Sequence, residues 1–318
     1  MKLITPVEIP SLRRPISLHN RLAFIGSCFA EHIGAKMRQS GLPALVNPFG
    51  VLYNPLSILN VLTANLMSDE LYFCDEDSRW HCWLTDSHAS ASTLEACRAA
   101  VLSARGKLVE WNPDILIITL GTNRCYERET FVVGNCHKRP QAEFAERALT
   151  VEECTSTLEA ICDLFPRAQL ILTVSPYRYA KYGFHESRLS KATLLLAVDM
   201  VQRRRPEQVA YFPAYEIQLD ELRDYRFYNP DMLHPSDQAI DYIWERFTEQ
   251  FIDNETRRYL YDYEPIRKAL QHRPEDPNSP AAVRFREQAQ QRLGELMAKY
   301  HIELYSLFIS NSSCLNIF

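Results

Sequence analysis

Two adjacent residues near the start of the chain, Ser27 and Cys28, offer a hydroxyl and a thiol, and far downstream Asp231 and His234 stand three apart. A hydroxyl or thiol attacks an acyl carbon when a base within hydrogen-bond reach takes its proton, and that base needs a group to orient it. Asp231 and His234, in a turn before a helix, can set a carboxylate against one imidazole nitrogen and leave the other free. The oxyanion formed on attack needs donors already aimed at it, and losing one typically slows such enzymes ~10²–10³-fold. The backbone N–H of Gly50 and the side-chain amide of Asn123 are the candidate donors.

Each of these residues has an ordinary reading as well. A Ser or Cys after a strand-ending Gly commonly caps a helix, Asn123 braces a turn, and Asp231 with His234 makes a turn and a cap. What lifts them above that reading is their joint occurrence, and this depends on the elements that carry them.

Five short apolar runs read as buried parallel strands: 21–26, 42–46, 114–120, 169–175 and 209–212. Each is followed by helical periodicity. Asn54-Pro55 reads as an N-cap with a first-turn proline, and Ser92-Thr-Leu-Glu95 and Thr150-Val-Glu-Glu153 have capping-box form. Ser187 to Arg205 is a long helical candidate. Ser236 to Ile252 sets Ile240, Ile243, Trp244, Phe247 and Phe251 on one face. Strands alternating with helices of this length predict an α/β fold, a parallel sheet covered on both faces. In such sheets ligands bind beyond the carboxyl ends of the strands. That rim receives Ser27 and Cys28 from the first strand, Asn47 and Gly50 from the second, and Thr122, Asn123 and Arg124 from the third. The fourth delivers Ser175 and Arg178, and Asp231 and His234 follow the fifth.

Gly-Ser-Cys after strand one, Gly after strand two, Gly-x-Asn after strand three and Asp-x-x-His-Pro near the end together resemble the SGNH/GDSL hydrolase superfamily. More narrowly, Gly26-Ser-Cys-Phe-Ala30 resembles the GSCFA-domain family of bacterial proteins. So do Asn47-Pro-Phe-Gly50, Asn135-Cys-His-Lys138, Ser190-Lys-Ala192 and Leu222-Arg-Asp-Tyr-Arg-Phe227. Each motif is short, but five in this order over roughly residues 20 to 250 are specific. The resemblance implies a three-layer α/β/α fold of flavodoxin type and an esterase or acyltransferase-like site. The superfamily reads Gly-Asp-Ser, which ungapped places Cys28 at the nucleophile and Ser27 where the Asp stands. A thiol at a helix N-terminus is expected to be acidified by the dipole. A one-residue shift makes Ser27 the attacker instead, and Cys28 is narrowly preferred.

The rest of the chain bounds the reading. With 35 Lys+Arg against 40 Asp+Glu the net charge is -5, so nucleic acid is not an expected partner. No apolar run approaches the ~20 residues of a membrane span, and the first residues lack a signal-peptide core. Nine scattered cysteines suggest reduced thiols and a cytoplasmic location. Cys74, His81, Cys82 and His88, or Cys125, Cys136 and His137, lack paired metal-ligand spacing, so no metal is expected. No Gly-rich phosphate loop points to a nucleotide, and no cofactor is expected. Arg124, His137, Lys138, Arg178, Arg223 and Arg226 are candidates for an anionic substrate, with Arg124 and Arg178 foremost. Tyr177, Tyr179, Tyr182 and Phe184 are candidates for lining a sugar site. Residues 71–84 and 127–134 read as inserted hairpins, and 1–253 as the α/β domain, with 254–318 a helical extension. The expected function is hydrolysis or transfer of an acyl ester, of a small molecule or saccharide. The alternative is a catalytically silent module that binds such a ligand. Oligomeric state is not legible.

Overall fold

The computed structural model describes residues 5–302, Thr130 excepted. Strands β1 (Leu22–Gly26), β2 (Ala44–Val46), β5 (Ile115–Leu120), β9 (Gln169–Val174) and β10 (Val209–Phe212) form one sheet, ordered β10-β9-β5-β1-β2. All neighbours run parallel; Gly26 pairs with Thr119 and Thr119 with Thr173. In chain order this is the 2-1-3-4-5 arrangement of doubly wound sheets, whose switch point lies between β1 and β5. The five predicted runs thus share one sheet, with β2 trimmed to three residues at the edge.

Alternate residues of the apolar runs face opposite layers, as the period of a strand requires. Ala23, Ile25, Leu116, Ile118, Leu170 and Leu172 bury against α2 (Pro55–Thr63), α3 (Leu94–Trp111), α4 (Val151–Leu164) and α5 (Gly183–Arg204). Leu22, Phe24, Ile115, Ile117, Ile171 and Phe212 bury against α1 (Cys28–Gln39) and α7 (Asp237–Phe251). Helices α8 (Asn254–Gln271) and α9 (Pro280–Lys299) share this second core through Tyr259, Ile266 and Leu296. Each fully buried Phe, Leu or Ile contributes roughly 1.5–3 kcal/mol relative to exposure. Among the described residues no helix is long and apolar enough to cross a membrane.

The caps explain where the helices begin. Asn54 accepts from the Ser57 N–H at 2.8 Å, and Thr150 with Glu153 forms a complete capping box. The Ser92–Glu95 box does not form. Ala91 exchanges main-chain hydrogen bonds with Trp80 and keeps the chain extended, so Thr93 becomes the cap, accepting from Ala96 N–H. Helix α5 starts at Gly183, ahead of the expected Ser187, whose hydroxyl instead accepts from the Tyr179 N–H.

Both insertions form antiparallel pairs: β3 (Tyr72–Cys74) with β4 (Trp80–Cys82), and β6 (Arg124–Arg128) with β7 (Phe131–Val133). A third strand that the pattern did not announce, β8 (Ala145–Ala148), joins the second pair. Its Ala-Glu-Arg-Ala sequence carries no apolar alternation, and pairing to β6 alone defines it.

Candidate active site

The site grows from the end of β1. Gly26 adopts φ +140°, and a Cβ there would lie 2.1 Å from Thr119 O, so only glycine lets β1 close on β5 at this point. The chain then turns out of the sheet through Ser27, whose N–H donates to Thr119 O at 3.1 Å. Ser27 holds the N-cap position of α1, yet its side chain makes no cap bond; the hydroxyl is buried and has no hydrogen-bond partner. The ordinary capping reading therefore does not account for it.

Cys28 is the first residue of α1 and is half-buried. The acidification expected at a helix N-terminus does not prevail. Burial pushes the thiol up, against the N–H groups of Phe29 and Cys28 and the charge of Lys191, which pull it down. Tyr53 and Tyr177 both feel the charge of Cys28, and burial raises both phenols.

Lys191 is the residue that the sequence reading left without a role. It is 2% exposed, and its Nζ donates to Gly121 O at 2.6 Å and Ser175 O at 2.7 Å, beyond the ends of β5 and β9. Burial lowers it to about 7, with Cys28 pulling the other way. No ion pair with a carboxylate is formed by Lys191 among the described residues. A signal was present: Ser187, Ser190, Lys191, Leu194, Ala197, Val198 and Val201 share one buried face of α5 at helical spacing. A lysine in that stripe marks a charge carried into the core.

Asp231 and His234 form the expected pair. Asp231 Oδ2 lies 2.5 Å from His234 Nδ1, while Oδ1 accepts the N–H groups of Leu233 at 2.8 Å and His234 at 3.0 Å. These bonds, the His234 imidazole first, hold the Asp231 carboxyl down to about 2. Nδ1 is thereby engaged and Nε2 is left toward solvent or substrate. The Tyr177 ring lies 4.4 Å from that of His234 and also feels Asp231. Tyr177 therefore packs against the loop that carries Asp231 and His234. Arg178 secures the back of this loop, its main-chain N–H on Leu233 O at 3.0 Å and Nη1 on Met232 O at 2.9 Å.

The oxyanion donors are arranged differently from the expectation. The single N–H of Gly50 is spent on Asn47 O at 2.8 Å, within a turn. Asn123 Nδ2 gives a hydrogen to Leu149 O at 2.7 Å, and its main-chain N–H goes to Ser190 Oγ. Asn47, in contrast, accepts from Gly26 N–H through Oδ1 and leaves a buried Nδ2 unpartnered. The Gly50 bond closes a tight turn, the Asn123 bond reaches Leu149, 26 residues on, and the run of letters discloses neither.

Several of the remaining candidates are engaged elsewhere. Arg124 pairs with Glu186 at 2.6 Å and lies over the Tyr182 ring. Arg226 pairs with Asp224 at 3.1 Å. His81 is held between Asp75 at 2.7 Å and Ser90 at 2.6 Å, His88 binds Asp86, and His137 binds Cys82 O. Among the described residues no three His, Cys, Asp or Glu side chains converge as metal ligands.

A family model described as the GSCFA family matches residues 21–247, a span that includes every residue of this rim. The chain belongs to the GSCFA family. A second model, the GSCFA domain protein C-terminal domain, matches 263–304, the second half of α8 and all of α9. No protein of curated function matches the chain. For this GSCFA chain the family's name-giving residues, Gly26 to Ala30, are thus the turn from β1 into α1, the same turn that bears Ser27 and Cys28.

Proposed function

We propose that the chain is an SGNH-like acyl hydrolase or acyltransferase in which Cys28 is the nucleophile, His234 the general base and Asp231 its orienting group. The observation that carries this reading is the Asp231–His234 pair, its Nδ1 engaged by the carboxylate and its ring packed on Tyr177, whose phenol feels the charges of Cys28 and Asp231. Nε2 of His234 takes the thiol proton as sulfur bonds to the acyl carbon. The tetrahedral oxyanion then collapses, the C–O bond breaks, and the departing alkoxide receives that proton. Water or an acceptor alcohol resolves the thioester by the reverse transfers. The unpartnered Asn47 Nδ2 and the first-turn N–H groups of α1 are the donors suited to the oxyanion. The eight described cysteines are free thiols, which fits the cytoplasm as the compartment.

A silent binding module is the second reading. The raised thiol of Cys28 and the committed Gly50 donor favour it. A small p-nitrophenyl ester and iodoacetamide separate the two. Turnover abolished by Cys28→Ala, with alkylation inactivating the wild type, supports catalysis through the thiol. Loss confined to Ser27→Ala transfers the role to the hydroxyl. Equal behaviour of Cys28→Ala, Ser27→Ala and His234→Ala leaves the binding module.

A further inference from the structure

Behind the acid–base loop lies a cavity of about 350 Å³ to which nothing above assigns a role. Its walls include Arg178, Arg188 and Arg223, together with Gln218, Asp220 and Tyr228. The volume is at the lower end of small-molecule sites and suits one sugar ring. Arg178 belongs to both places, since it also holds Met232 and Leu233 of the catalytic loop.

The charges in this cavity are unbalanced in a particular way. Arg178 lies over the rings of Phe184 at 4.2 Å, Tyr228 at 5.2 Å and Tyr225 at 5.6 Å. Aromatic rings hold its faces and leave the N–H edge of the guanidinium for hydrogen bonds. Arg188 approaches the Tyr215 hydroxyl. Arg178, Arg188 and Arg223 take part in no ion pair among the described residues, whereas Asp224, on the same wall, is already bound by Arg226. Gln218 is 1% exposed; its Nε2 donates to Phe227 O at 3.1 Å, and its Oε1 is enclosed without a partner. A buried acceptor of this kind calls for a donor. Gln218 and Asp220 come from a π-helical turn, Ile217–Glu221, a geometry frequent at functional sites.

Guanidinium edges ask for an oxyanion, and the Gln218 and Asp220 oxygens ask for hydroxyl donors. We propose that this cavity is a subsite for a carbohydrate bearing an anionic group, a sugar acid or a sugar phosphate. The oxyanion lies on Arg188 and Arg223, the hydroxyls on Gln218 and Asp220. That its occupant is part of the acylated substrate rests on the acyl-transfer reading; the binding itself does not.

Calorimetric titration of the full chain at low salt tests this, with glucuronate, glucose 6-phosphate, glucose and inorganic phosphate as probes. One of the two anionic sugars should bind at least ~10-fold tighter than glucose, and which one it is separates carboxylate from phosphate. Arg188→Gln and Arg223→Gln, both at exposed positions, should each weaken that binding ~10-fold or more, and added salt should weaken it in the wild type. Glucose binding as tightly as both anions, no binding of any sugar, or unchanged binding in both variants would overturn the proposal. Inorganic phosphate binding as tightly as the sugar phosphate, with glucuronate silent, overturns its carbohydrate part. His234→Ala should bind the anionic sugar as the wild type does. An anionic sugar bound by a chain inert to esters rejects the acyl-transfer reading alone, and turnover without sugar binding rejects the subsite alone.

Discussion

Two basic nitrogens belong to the proposed site, and the fold treats them oppositely. His234 sits on a turn with 41% of its side chain exposed, and its Nδ1 is bound by a carboxylate. Lys191 is enclosed in α5, bound by two strand-end carbonyls and by no acid. The histidine draws its orientation from a partner and keeps a free nitrogen. Two carbonyls and the charge of Cys28 only partly offset the lysine's desolvation, and its proton is loosened to about 7. An ammonium has three donors and an amine two, so the two carbonyls are satisfied in either state. On the proposed mechanism the labour is divided: the exposed, partnered imidazole transfers protons, and the buried amine ties β5 to β9 and acts on the thiol by its charge.

The largest effect is expected at the surface base. His234→Ala should lower ester turnover ~10²–10⁴-fold, the usual contribution of a placed general base. Its melting temperature should stay near that of the wild type, because the side chain is exposed. If Lys191→Met costs more turnover than His234→Ala, the division of labour is inverted and the lysine is the base.

Lys191→Met comes next. Removing the cation should raise the thiol further and measurably slow iodoacetamide alkylation of Cys28 at pH 7. It also changes how stability depends on pH. The folded lysine is lowered from 10.5 to about 7, so between those values the unfolded chain holds a proton that the folded chain lacks. Stability therefore climbs as pH rises through this window, and the penalty is complete below it. Buried thiols oppose this from pH 9 upward. Burial raises Cys97 and Cys125 to about 11 and Cys82 to about 12, so the folded state keeps protons that the unfolded state has lost. His137, held below its ordinary 6.5 by burial, adds a slope of its own near that pH, so the clean interval is about pH 7.5 to 8.5. The wild-type melting temperature should rise across it, and that of Lys191→Met should be flat; equal slopes remove the buried charge from the account.

The comparison also marks what the letters could and could not disclose. The sheet was legible because runs such as Ile115–Leu120 are apolar at every position but Thr119, a pattern that only a strand covered on both faces requires. Asp231 and His234 were legible because three residues and a turn fix their mutual reach. Lys191 was hidden for the opposite reason. Its partners are main-chain carbonyls 70 and 16 residues away, and no side-chain pattern encodes a carbonyl. Strand β8 was hidden likewise, since its only claim to being a strand is its partner β6. Gly50 and Asn123 lie on the expected rim, but a turn in the one case and a contact with Leu149, 26 residues on, in the other decide how their N–H groups are used.

Gly50→Ala tests that last point at a smaller scale. Gly50 has φ +77°, and a Cβ there would fall 1.8–2.0 Å from the Asp86 carboxylate, which also accepts from Val51 N–H. Displacing that carboxylate and straining the turn should cost about 1–3 kcal/mol of stability, read by denaturant titration. Alkylation of Cys28 at a temperature where the variant is folded should be nearly unchanged. A tenfold or greater loss of turnover without loss of stability would restore Gly50 as an oxyanion donor.

The smallest effect belongs to the residue that joins the two sides. Tyr177 touches the comparison twice, through its ring on His234 and through a phenol that senses Cys28 and Asp231. Burial keeps that phenol protonated at neutral pH, so it contributes no charge to either neighbour. Tyr177→Phe keeps the ring and removes only the hydroxyl, and turnover should stay within about 2-fold, the span of roughly 0.5 kcal/mol seen for changes that touch no special feature. Tyr177→Ala removes the ring as well and frees the imidazole to turn, so its loss should be greater, about 10-fold, and should fall on kcat rather than on KM. If the Phe variant loses as much as the Ala variant, the hydroxyl itself handles a proton or the oxyanion. Tyr177 then moves from holding the base to acting with it.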